Sequence, residues 1–316
     1  MTKQRILYLD NTKGILIILM IITHVYQAGF IHDIVYNFHM AAFFVISGIQ
    51  FRYSKTINLP MMQVIKSRMY TMMIPFFFFE AWGSVTYLIR YGFGQNIKGF
   101  IYNTLTLHLN NGVLWFLFTL FFAELIFIAL IKITKDQRII IAVSVIALMI
   151  GIVIPPINQP LDFAGKILRA LFFLVLGYYT HRLFDRKSTV MPTVCAIVLS
   201  VLTMVNGCIG FSDASPQNLP LYLLGTLCGT YSVIHIGKLP WGKWLQHIGR
   251  NSLIIYATHN TYYLLFGNGL GISDFTKTPL LLGFLVLLLV AAAEIPTVYL
   301  LTRFLPFLVG KRRVSV

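Results

Sequence analysis

The sequence predicts an all-α fold: a polytopic integral membrane bundle of about ten transmembrane helices, with both termini cytoplasmic. Three observations carry that prediction. Only 11% of the 316 residues are charged and 57% are hydrophobic, whereas a soluble domain carries about 25% charged residues. The apolar residues gather in runs close to the roughly 20 residues needed to cross a bilayer. The basic residues fall mostly on one side when the connections between runs alternate across a membrane.

The runs lie at about 14–30, 34–51, 70–91, 113–131, 139–155, 167–184, 189–210, 219–237, 248–266 and 280–305. The first opens on Lys13 and contains His24, in KGILIILMIITH. The second contains His39 and a Ser47–Gly48 pair, small residues that let helices approach closely. Glu80 falls in the third run, Glu124 in the fourth, His259 in the ninth and Glu294 in the tenth. The longest connections are about 52–69, 92–112 and 267–279, and a short basic tail, KRR, closes the chain. With no soluble segment, linker, low-complexity tract or clear repeat, the chain reads as a single domain over 1–316.

The net charge of +15 is explained by topology. With a cytoplasmic N-terminus, nineteen Lys and Arg fall on the inner side, from Lys3 and Arg5 to Arg312 and Arg313, with Lys187 among them. Five fall outside: Arg90, Lys98, Lys166, Arg169 and Lys277. Lys13 stands at the inner mouth of the first run. This is the positive-inside pattern, and it gives no support to a nucleic-acid partner. Cys195, Cys208 and Cys228 sit in or beside apolar runs without a CxxC spacing, so packing is their expected role and no metal is expected. The first run lacks a small-residue cleavage site after it and is expected to be retained.

Chemistry must then come from polar groups within or at the edge of the membrane, where ionisable residues are expensive and mark function by default. Lys13 and His24 are eleven residues apart, about three helical turns, so they share a face roughly 16 Å apart along the axis. Asp10, three residues before Lys13, can pair with it. His24 lies about six residues before the outer end of its run and His39 about five after the outer start of the next, so the two are expected at similar depth. Glu80, Glu124, His259 and Glu294 each fall near mid-span. Singly, such a His or Glu can be helix-to-helix glue, and Asp10 or Lys13 can snorkel to water. Together they favour a shared polar cavity.

Four stretches carry a resemblance. LYLDNTKGILIILMIITH is similar to the first helix of membrane acyltransferase family 3, a basic residue, ten residues and a histidine, with Lys13 in place of the commoner arginine. FHMAAFFVISG, 38–48, resembles the family's FHMPLFFFISG, with Ala41 where proline is usual. LWFLFTLF, 114–121, resembles the motif opening its fourth helix, and IGRNSLIIYATH, 248–259, the late motif ending in histidine. The order is the family's, over nearly the whole chain, and the compact fucose-4-O-acetylase-like subgroup is the most similar. One departure stands in KSRMYTMMIP, 66–75: Arg68 and Pro75 match, but Thr71 replaces a second arginine, and Lys66 is the nearby cation that can compensate.

The resemblance implies transfer of an acyl group, usually acetyl, from cytoplasmic acyl-CoA to a hydroxyl of a surface or exported glycan. The donor is then acetyl-CoA as co-substrate, the acceptor a glycan or lipid-linked saccharide, and the location a bacterial plasma membrane, within the lipid bilayer. His24 is the expected base or acyl carrier. Lys13, Lys66 and Arg68 are expected to meet CoA phosphates. Asp10 and His39 complete the expected catalytic group, and Glu80 and His259 stand behind it. A proton-coupled small-solute transporter on the same bundle is the alternative, although no inverted repeat is visible. A membrane scaffold would not need Lys13 and His24 aligned.

Overall fold

In lipid every backbone N–H and C=O must find a partner within the protein, which a helix achieves along its own length. The computed structural model follows that rule. It describes residues 6–91, 102, 106, 108–154, 159–186, 188–211 and 218–311, by backbone alone at 85–91 and 159. The basic residues Lys3, Arg5, Lys98, Lys187, Arg312 and Arg313, the side chain of Arg90 and most of the 92–112 connection lie outside the described residues. The fold is 84% helix, with no strand among the described residues.

In chain order the helices are α1 (Leu7–Val25), α2 (Phe30–Tyr36), α3 (His39–Tyr53), α4 (Met61–Arg68), α5 (Ile74–Tyr91), α6 (Trp115–Thr134) and α7 (Gln137–Val153). They continue with α8 (Gln159–Asp185), α9 (Val190–Asn206), α10 (Leu219–Gly237), α11 (Lys243–Arg250), α12 (Ser252–Gly269) and α13 (Leu280–Phe304). Helix occupies each predicted run. Five stretches are long and apolar enough to cross a membrane: Leu7–Val25, Phe30–Tyr53, Gly112–Thr134, Leu219–Gly237 and Leu280–Phe304. The helices Gln137–Val153 and Val190–Asn206 are apolar but shorter. Large apolar side chains of α13, among them Leu280, Leu281, Phe284 and Ile295, are exposed, as a lipid-facing helix requires.

The helix ends differ from the apolar runs, for local reasons. α1 begins seven residues earlier than its run because its polar first turns find partners. Asn11 Nδ2 donates to the Gly237 carbonyl of α10 at 2.9 Å, and Thr12 Oγ1 donates to the Tyr8 carbonyl at 2.7 Å. Asp10 pairs with Arg250 of α11 at 3.3 Å. α1 ends at Val25, so His24 is its penultimate residue rather than six residues from its end. The second run is broken at Asn37. The Asn37 side chain donates to Thr203 Oγ1 at 2.8 Å and to the Gly207 carbonyl at 3.1 Å, and accepts from the Ile209 N–H at 2.5 Å. α4 and α5 are joined by a π-helical turn, Met69–Met73. Pro75, which has no N–H and crowds the carbonyl four residues back, follows at the second position of α5, and the ladder widens ahead of it.

The central packing depends on contacts only glycine permits. A Cβ on Gly48 of α3 would lie 2.0 Å from the Leu174 carbonyl oxygen of α8, and one on Gly177 of α8 would lie 2.0 Å from that of Val45 in α3. The two backbones therefore touch, with Ala41, Ala42, Val45, Ala170 and Leu174 buried around the crossing. Gly48→Ala or Gly177→Ala should lower stability by about 1–3 kcal/mol or more through overpacking. Gly269→Ala, where a Cβ meets nothing within 4 Å, should stay within about 0.5 kcal/mol of wild type. Thermal unfolding in detergent compares the three.

Candidate functional site

α1 is the spine of the site. It lies against α10, α11, α12 and α13, with α2 and α3 also in contact. Its Lys13 half faces a cavity of about 260 Å³. One part of the lining is polar: Lys13, Gln50, Ser54, Arg68, Thr71 and Glu124. The remainder is largely apolar, with Ile17, Met40, Phe43, Phe116 and Leu117 among its residues, and Tyr256 of α12 also lines it.

Arg68 and Glu124 meet in this cavity, Nε to Oε2 at 2.9 Å. The Arg68 guanidinium also lies over the Phe51 ring, 4.8 Å from its centroid. Arg68 closes α4 immediately before the π turn, which brings Thr71 and Met72 into the same lining. Lys66, one turn away on the same short helix, is exposed and is not part of the lining. Thr71, at the position where a second arginine is usual, faces the cavity, and its Oγ1 donates to the Ser67 carbonyl at 3.0 Å.

The other end of α1 carries a cluster of imidazoles and phenols. The His24 ring stands edge-on to His259, with centroids 4.9 Å apart. Tyr263 is 5.9 Å away and Tyr36 is 6.5 Å away. His39 joins the cluster through Tyr36, at 5.1 Å, so Tyr36 stands between the two histidines expected at equal depth. Each ring nitrogen Nδ1 faces a backbone carbonyl: His24 to Met20 at 2.8 Å, His39 to Val35 at 2.9 Å and His259 to Tyr256 at 2.8 Å. A carbonyl only accepts, so Nδ1 carries the proton in each neutral ring and Nε2 keeps the lone pair. His259 is fully buried, and its Nε2 has no hydrogen-bond partner among the described residues.

These histidines do not line the cavity. The boundary is aromatic. Phe116 meets Tyr256 edge to face at 5.6 Å, and the Tyr256 ring is 6.4 Å from that of His259. Tyr256 stands three residues before His259, one helical turn away inside the IGRNSLIIYATH stretch, and that spacing was the available sign that the two share a face.

The remaining acids have structural partners. Glu80 accepts from the Asn110 N–H at 2.7 Å, from Asn110 Nδ2 at 3.0 Å and from the Asn111 N–H at 3.2 Å. Asn111 Nδ2 donates in turn to the Ala257 carbonyl at 2.8 Å. Glu80 thus ties α5 to the segment that opens α6, and that segment to α12, two residues from His259. Glu294 accepts from Thr258 Oγ1 at 2.8 and 2.9 Å, linking α13 to α12 next to the same histidine. Cys195 and Cys228 are buried, as packing requires, whereas Cys208 is exposed.

The family described as an acyltransferase domain matches residues 6–299. The match lends the transporter alternative no support. No curated protein and no solved structure matches the chain.

Replacing Glu80 tests the tether. Glu80→Ala leaves the Asn110 and Asn111 N–H groups without their acceptor and should destabilise the protein by about 2 kcal/mol or more. Glu80→Gln, which keeps one acceptor oxygen, should lose less. Amide hydrogen exchange at Asn110 and Asn111 should speed up in the same order.

Proposed function

The chain belongs to acyltransferase family 3 and is a membrane protein, and on that premise we propose that it transfers an acetyl group from cytoplasmic acetyl-CoA to a hydroxyl of a cell-surface or exported glycan, in a bacterial plasma membrane. His24 carries this reading. Its Nδ1 is tied to Met20 at 2.8 Å, which aims the basic Nε2 away from its own helix, and it stands about three turns from Lys13 on the same helix face.

In this reading the donor enters at the polar end of the cavity. Its phosphates meet Lys13 and Arg68, with Lys66 adding charge at the mouth. Arg68 exchanges its contact with Glu124 for a phosphate, a partner that accepts the guanidinium fork well. The cavity of about 260 Å³ is below the roughly 300–1,000 Å³ of a site enclosing a whole drug-sized ligand. It suits the pantetheine arm, with the nucleotide left outside. Phe116 and Tyr256 swing aside as the thioester advances towards the histidines.

His24 Nε2 takes the proton of the acceptor hydroxyl as its oxygen attacks the thioester carbonyl. The C–O bond forms, the C–S bond breaks, and the imidazolium returns its proton to the departing thiolate. In the covalent variant Nε2 attacks the thioester itself and the acceptor then takes the acyl group from the ring. His259, 4.9 Å away, and His39, behind Tyr36, shape the chamber in which the acceptor is held. Asp10, paired with Arg250, fixes the Lys13 end of α1.

Membranes carrying the protein should move radiolabel from acetyl-CoA to surface saccharide. His24→Ala should cut the rate at least about 100-fold. Equal labelling by wild type and His24→Ala would remove His24 from the chemistry. Lys13→Met should raise KM for acetyl-CoA more than it lowers kcat, since its contribution is to ground-state binding. An unchanged KM would detach Lys13 from the donor.

A further inference from the structure

At the histidine end of α1 one cluster has no part in the proposed transfer. His32 and Asp33 of α2 meet Cys208, which follows the left-handed Gly207 (φ 71°) beyond the end of α9. A ring nitrogen of His32, a carboxylate oxygen of Asp33 and the Cys208 sulfur lie within 4.8 Å of one another. His32 and Asp33 are half-buried and Cys208 is exposed.

The cluster is held from both sides. Asn37 takes the Gly207 carbonyl at 3.1 Å and the Ile209 N–H at 2.5 Å, so the residues on either side of Cys208 are fixed by one amide. The His32 ring is stacked on Tyr36, 4.2 Å between centroids and 28° between planes. Two chain segments far apart in sequence are thereby brought together around three ligand-type atoms.

We propose that His32, Asp33 and Cys208 form a site for one zinc ion. Zinc accepts thiolate, imidazole and carboxylate together, at about 2.0–2.3 Å. A tetrahedral ion at those lengths needs ligand atoms roughly 3.5 Å apart, a distance that small side-chain rotations reach from the present arrangement. The thiol and imidazole disfavour calcium and magnesium, which take oxygen ligands. The ion replaces the contact of His32 Nδ1 with Asp33 Oδ1, now 2.9 Å, and displaces the thiol proton to solvent. The exposed Cys208 side leaves a fourth position for water. Binding clamps α2 to the segment after α9, and through the Tyr36 stack it stiffens the wall beside His39 and His24. The site stands whether or not the transfer reading does.

Full-length protein in detergent, reduced and stripped of metal, should bind one equivalent of cobalt(II), with a thiolate-to-cobalt charge-transfer band that zinc abolishes. Cys208→Ser should lose the band, His32→Gln should weaken binding by about tenfold or more, and Cys195→Ser should leave both unchanged. In the wild type itself, zinc should slow maleimide labelling of Cys208 at least about tenfold, reversibly with chelator. A wild type without the band, a band that survives in Cys208→Ser, or labelling indifferent to zinc would each overturn the site.

Discussion

Where α1 crosses α11, a single methyl group would strike a backbone carbonyl: a Cβ on Gly14 would lie 2.6 Å from the Leu245 oxygen, and one on Gly249 would lie 1.8 Å from that of Asp10. The two backbones are in direct contact. Transmembrane helices gain little from hydrophobic burial against one another, so packing at this range is what holds them. The crossing sets Asp10 against Arg250 and fixes the azimuth of α1. That azimuth turns Lys13 into the cavity and, three turns on, His24 towards His259. The α3–α8 crossing at Gly48 and Gly177 does the same for Ser47 and Gln50, which line the cavity from α3.

Much of this was legible in the sequence, and the failures have physical reasons. Hydropathy located each helix because lipid selects apolar runs regardless of what they pack against. It missed the start of α1, since Asp10, Asn11 and Thr12 are tolerated only through partners on α10, α11 and their own helix, none of which a local window sees. The common face of Lys13 and His24 followed from helical period alone. The proximity of His24 and His39 followed from depth, but the intervening Tyr36 did not, because the break at Asn37 depends on partners more than 160 residues away. Arg68 and Glu124 were each visible as candidates. Their pairing was not, for it depends on the phase that the π turn imposes. The group of His32, Asp33 and Cys208 left no spacing to read, and Cys208 looked like packing because its neighbours are apolar.

The polar groups divide between holding the frame and remaining exchangeable. Glu80, Asn37, Asn111 and Thr258 satisfy backbone or carboxylate partners in buried surroundings, and their loss would leave unpaired groups that hydrocarbon cannot solvate. Lys13, Arg68 and Glu124 border open volume instead, where an incoming anion competes for the same cations. The histidines form a third kind. Each uses one ring nitrogen for anchorage and keeps the other chemically available.

The π turn at Met69–Met73 also has a bearing on how this chain tolerates insertions and deletions. Such a turn is one residue wound into an otherwise α-helical path, and each residue advances a helix by about 100°. Deleting any one residue there would restore ordinary winding and rotate everything before it against everything after it by about that angle. Arg68 would leave the cavity, or Glu80 would turn from the Asn110–Asn111 segment, since both cannot keep their bearings at once. The segment therefore behaves as a fixed phase offset: substitutions such as Thr71 are absorbed, while a change in its length is not.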